Sequence, residues 1–96
     1  MKITVTPPRP APPTAITRLA LRNRFTFAEK VAIETAAESD PVIRVLLKDL
    51  EVASYIDLSR YDSLAAMQVL ESKGILVAGR GAEIMNPETI DILERP

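Results

Sequence analysis

The 96-residue sequence predicts an all-α fold, a small bundle of about four short helices with an extended proline-rich N-terminal arm. Three observations predict it. Thr26-Phe27-Ala28-Glu29 has the spacing of a capping box, in which the Thr26 hydroxyl accepts from the Glu29 N–H and the Glu29 carboxylate reaches back. Asp40-Pro41 sets a side-chain cap and a first-turn proline directly ahead of an apolar stripe of helical period. Five prolines (Pro7, Pro8, Pro10, Pro12 and Pro13) crowd residues 7–13. Proline fixes φ and restricts the residue before it, so this stretch forms neither a helix nor a central strand.

Along the chain, residues 1–6 are β-favouring, with Ile3 and Val5 alternating with polar neighbours. Residues 7–13 read as a polyproline-II spacer that reaches roughly 20 Å at about 3.1 Å per residue. Residues 14–24 fit two patterns. Leu19 and Leu21 alternate with Arg18, Ala20, Arg22 and Arg24 as in a strand, whereas Ala, Leu and Arg favour helix. The expectation is an extended or weakly helical segment that pairs with something.

The first firm helix is expected over residues 27–38, with Phe27, Val31 and Ala32 on one side and Lys30–Glu34 as an i,i+4 ion pair. The second runs over residues 41–53. Its apolar stripe is Val42, Ile43, Leu46, Leu47, Leu50 and Ala53, while Arg44, Lys48 and Glu51 face water. Residues 55–58 form an extended link. A third helix, over residues 63–73, is capped by Asp62 or by the stretch 59–62. It turns Leu64, Ala65, Met67 and Leu70 inward, and Gly74 stops it as a C′ residue. Residues 75–85 admit a helix or a hairpin, Asn86-Pro87 is a break, and residues 89–93 are a helical turn or a strand. The organisation expected is an arm over residues 1–24 and a helical domain over residues 25–96.

Charge divides the chain the same way. Residues 1–24 carry Lys2, Arg9, Arg18, Arg22 and Arg24 and no acid, a net of +5; the remaining 7 basic residues face all 13 acids, a net of −6. A basic arm on an acidic body suits docking to an acidic or strand-edged neighbour. The partner-binding residues expected are Ile3, Val5, Pro7, Pro8, Arg9, Pro10, Pro12, Pro13, Arg18, Arg22 and Arg24.

The chain has no cysteine and no histidine, which removes disulfides, thiolate chemistry, the commonest general base and the commonest metal ligand. Glu29, Glu34 and Glu38 are explained as a cap and a solvated face, Asp40 and Asp62 as caps, and no serine sits in a nucleophile elbow. Gly79-Arg80-Gly81 lacks the frame of a phosphate loop. An enzyme is not expected, nor a cofactor or metal. No run is long enough for a membrane span and no secretory h-region is seen, so synthesis in a cytoplasm is expected.

DNA binding is the rival reading. A helix followed by a hairpin with Gly79-Arg80-Gly81 at its tip has the outline of a winged helix, with Ser63, Gln68 or Arg80 facing DNA. The acidic body and the alanines of the third helix oppose it.

Three segments carry a family resemblance: ITRLALRNRFTFAEKVAIE (residues 16–34), LKDLEVASYIDLSRYD (47–62) and VLESKGILVAGRGAEI (69–84). Together they resemble a family of small proteins encoded beside the tail and tail-fibre genes of tailed bacteriophages and prophages. Two departures stand out. Ser39-Asp40-Pro41 joins the first two helices directly where members often carry an insertion, and Gly81 stands where members tend to have alanine. Alanine there would favour helix over residues 78–85, and the helical reading is preferred. The resemblance implies a non-enzymatic structural or accessory protein of the virion tail, at the tail tip, baseplate or fibre attachment. It would dock in several copies to a larger tail protein through the arm. A winged-helix-like DNA-binding regulator and a tail-fibre assembly chaperone are the alternatives.

Overall fold

The structure is a computed structural model, and it describes residues 11–96. It is all-α. In chain order, β1 (Ala15–Ile16) leads into α1 (Arg18–Arg24), α2 (Phe27–Ser39), α3 (Pro41–Val52), β2 (Ile56–Asp57), α4 (Tyr61–Ser72) and α5 (Arg80–Ile84). Two 3-10 turns follow, Pro87–Thr89 and Ile92–Glu94.

The segment before α2 is part of the body. Pro12 C=O accepts from the Ala15 N–H at 2.9 Å, closing a turn that aims β1 at β2. The two pair antiparallel, Ala15 opposite Asp57 and Ile16 opposite Ile56. Thr17 then caps α1, its side chain accepting from the Ala20 N–H at 3.0 Å. Ala15, Ile16, Ala20 and Leu21 are all buried. An arm ending at residue 24 is therefore corrected: residues 14–24 pair, coil and pack inside the domain. The propensity of Ala, Leu and Arg prevailed over the alternation because one turn further on Leu21 and Ala20 share the inward face.

The Thr26–Glu29 capping box forms as its spacing requires, with Thr26 N–H donating to Glu29 Oε1 at 2.8 Å and Glu29 N–H to Thr26 Oγ1 at 3.1 Å. The inward face of α2 is Ile33 with Ala36 and Ala37. Phe27 and Val31, expected on one side of the helix, lie on its outer side at 79% and 47% exposure, and Lys30 makes no ion pair with Glu34. Asp40 caps α3 through Val42 N–H at 3.0 Å and also holds Lys73 Nζ at 2.7 Å. Ile43 of α3 is completely buried, and Leu46, Leu47 and Leu50 are half-buried beside it.

α4 begins at Tyr61, two residues earlier than expected, with Arg60 at the cap position and no side-chain cap. Asp62 sits in the first turn rather than at the cap, where its charge still suits the helix N-terminus. Met67 and Leu70 are buried, whereas Leu64 is exposed. The helix ends in a Schellman arrangement: Gly74 at φ +74°, with Gly74 N–H bonding Glu71 C=O at 3.0 Å and Ile75 N–H bonding Leu70 C=O at 3.0 Å.

No hairpin forms over residues 75–85. The chain turns at Gly79, φ +88°, into α5. Gly81 is buried where α5 crosses α4, and a Cβ there would stand 2.8 Å from Met67 Cβ. The glycine that weakens the helix by propensity is what permits the close approach. Gly81→Ala is expected to lower the unfolding free energy by about 1–2 kcal/mol, overpacking outweighing a gain in helix propensity of about 1 kcal/mol. Urea denaturation checks this, and a more stable variant would contradict the packing.

Candidate functional site

Two partly buried arginines organise the polar contacts between elements. Arg24, at the end of α1, aims its guanidinium at the C-terminal turns. Nε and Nη2 donate to the two oxygens of Glu94, each at 2.9 Å, while Nη1 donates to Ile84 C=O at 2.9 Å, Thr89 Oγ1 at 3.0 Å and Asn86 C=O at 3.2 Å. Only 11% of the side chain is exposed. Arg80, opening α5, donates to Glu29 Oε2 at 2.9 Å and Oε1 at 3.1 Å, to Arg24 C=O at 2.9 Å and to Glu83 Oε2 at 3.1 Å. Glu29 thus caps α2 and anchors α5 at once. Glu94 likewise accepts from Asp91 N–H at 2.9 Å, capping the last turn.

These contacts hold the carboxyls ionised. The hydrogen bond from Arg80 keeps Glu29 below the ordinary glutamate value, and the bond from Arg24 does the same for Glu94. In return Glu29 raises Arg80. Asp57 is lowered first by the Thr14 hydroxyl, at 2.6 Å, and Asp40 by Lys73. No buried side-chain nitrogen or oxygen among the described residues lacks a partner, and no group of three acids is placed to hold a metal ion. No helix among the described residues is long and apolar enough to cross a membrane. The network ties elements together and offers no free base or nucleophile.

The expected partner-binding residues separate accordingly. Ile3, Val5, Pro7, Pro8, Arg9 and Pro10 lie outside the described residues. Pro12 is half-buried, and the exposed Pro13 accepts from Arg95 Nη1 at 3.2 Å. Arg18 donates to Glu51 C=O on α3, and Arg24 is consumed inside the body. The structure therefore corrects the assignment of Arg24 to a partner surface. Arg22 is exposed and makes no ion pair among the described residues. Arg80, which the wing reading would aim at DNA, is turned onto Glu29.

What the expectation missed is an apolar groove beside α3. Its inner part, a cavity of about 70 Å³, lies where α1 to α4 meet, over Ile33, Leu47 and Leu70. Its outer part, about 250 Å³, runs towards β2 and the start of α4, with Tyr55 and Asp49 on its rim. Leu21, Leu46, Leu50 and Ala66 line both. The signal was present in the sequence: at 100° per residue, the apolar positions of α3 from Val42 to Ala53 cover an arc of roughly 220°, more than one neighbouring helix can bury. Val42, Val45 and Val52 accordingly stay exposed.

No family model, curated protein or solved structure matches the chain.

Two outcomes follow from the arginine network. Arg24→Met is expected to cost about 2–4 kcal/mol, because it leaves the Glu94 charge and several acceptors without a donor; Arg22→Met, at an exposed site, is expected to change stability by less than about 0.5 kcal/mol. Equal effects in thermal unfolding would contradict the asymmetry. Glu29 and Glu94 have folded values below their unfolded ones, so their contribution is fully present above the ordinary glutamate value and is lost as the pH falls through their lower folded values. A pH series of unfolding free energies is expected to fall on that acid side, more steeply in the parent chain than in Arg24→Met.

Proposed function

We propose that this chain is a non-enzymatic structural or accessory component of a bacteriophage tail. On this reading it is present in several copies at the tail tip, baseplate or fibre attachment and docks to a larger tail protein. The N-terminal segment is the connecting element, now shortened to residues 1–13 by the folding of residues 14–24 into the body. The observation that carries a docking role is the uncovered apolar face of α3, where Val52 is 82% exposed, on a body in which, among the described residues, every buried side-chain nitrogen and oxygen already has a partner. A surface of that kind suits a permanent neighbour. The resemblance of residues 16–34, 47–62 and 69–84 to small phage tail-region proteins supplies the setting.

Repetition around a tail axis would multiply a weak single contact into a durable one. A DNA-binding role has less support, because residues 75–85 form no wing and Arg80 is paired with Glu29.

Mass spectrometry of purified particles is expected to find the chain at several copies per virion. Absence from particles that nevertheless need it to form would make it an assembly chaperone. Salt-sensitive binding to duplex DNA would favour the regulator instead.

A further inference from the structure

We infer that the groove beside α3 receives the N-terminal segment, residues 1–6, of a second copy of this chain. Three observations converge on that occupant. First, the groove is built for an apolar chain with a basic escort. Its floor is Leu21, Leu46, Leu50 and Ala66, and its outer part carries Asp49, Asp57 and Asp62 against the single base Arg60. Arg60 is already paired with Asp62 at 3.1 Å, and Asp57 with Thr14 and Ser59, whereas Asp49 makes no ion pair among the described residues. Residues 1–10 carry Lys2 and Arg9 and no acid.

Second, the apolar pattern fits. Ile3 and Val5 are two apart, so in an extended segment both point to one face, roughly 7 Å from each other, with Lys2 and Thr4 on the other face towards the rim. Third, the reach fits a neighbour. The chain enters the body through the Pro12–Ala15 turn, beside Thr14, whose hydroxyl holds Asp57 on the groove's own rim. A polyproline-type spacer over residues 7–11 would carry residues 1–6 roughly 15 Å beyond that turn, past a groove that begins beside it. A stiff spacer favours the groove of the next copy over the chain's own. The contact is head-to-tail, arm into groove, and repeats into a ring or filament as the rotation allows.

Here residues 1–6 join one copy to the next in place of the larger tail protein, for which the outward face of α3 at Val42, Val45 and Val52 is left; the inference stands apart from the tail setting. Its failure leaves the particle measurement untouched, and the reverse holds too. The test is sedimentation of the full chain over a concentration series. The parent is expected to self-associate. Val5→Asp, which spoils the segment, and Asp49→Lys, which reverses an exposed rim charge, are each expected to weaken association about tenfold or more. Circular dichroism is expected to show both folded, and Ala53→Arg, which fills the groove from its edge, serves as a second groove variant.

Mixing Val5→Asp with Asp49→Lys is expected to restore a 1:1 heterodimer, since one partner keeps an intact groove and the other an intact segment. A parent chain that stays monomeric overturns the inference. So does association that both single variants leave unchanged, or a mixture that forms no heterodimer. Groove amide shifts caused by Val5→Asp in a monomer would place the segment in its own groove and would also overturn it.

Discussion

Arg24 sits where two guanidinium networks meet, and the other elements take their places from it. Its side chain grips Glu94 with two parallel bonds and reaches Ile84, Asn86 and Thr89 with a third nitrogen. Its carbonyl in turn accepts from Arg80, whose other bonds go to the capping glutamate of α2 and to Glu83. One residue therefore connects the end of α1, the start of α2, the start of α5 and the last turn of the chain. A planar fork with five donors can do this where a lysine could not. The core it braces is small and nearly free of aromatics, with Ile16, Ile43, Leu58 and Ile84 its largest fully buried side chains and Phe25 the one aromatic within it among the described residues. In a domain of this size such cross-links carry a large share of the stability margin.

The same constraint shapes the outer surface. Because α1 is drawn in, Leu21 becomes part of the groove floor and α3 gains a neighbour on only part of its apolar arc. Asp40 and Lys73 fasten the start of α3 to the end of α4 at 2.7 Å, and Arg18 fastens α1 to the α3 carbonyl of Glu51. The helix is thus fixed in position while Val42, Val45 and Val52 face outward. An apolar face on a helix that cannot turn away is the physical basis of the docking reading.

Much of this was legible in the residues. The capping box at Thr26, the Asp40-Pro41 start and the Gly74 stop are local chemistry, and each appears as its spacing requires. What depends on distant partners was not legible. Nothing near Arg24 shows that its acceptors lie 70 residues on, so composition assigned it to a basic arm. Phe27 and Val31 have the period of an inward face, yet Ile33 and the alanines allow the tighter packing and take that side. Gly81 reads as a flaw in a helix until Met67 is seen above it. The groove itself was implied by the breadth of the α3 arc, which one stripe could not explain.

Residues 14–24 belong to the folded body and are braced there by Arg24. Amide hydrogen exchange reads this residue by residue. The N–H of Thr17 bonds Glu94 C=O at 2.8 Å and that of Leu58 bonds Thr14 C=O at 3.0 Å, so both join the first segment to distant parts of the chain. These two amides are expected to exchange with the slowest group, alongside the α4 interior amides of Met67 and Leu70, and all of them to speed up together in Arg24→Met. Rapid exchange at Thr17 and Leu58 while Met67 and Leu70 stay protected would show that the first segment is not part of the body.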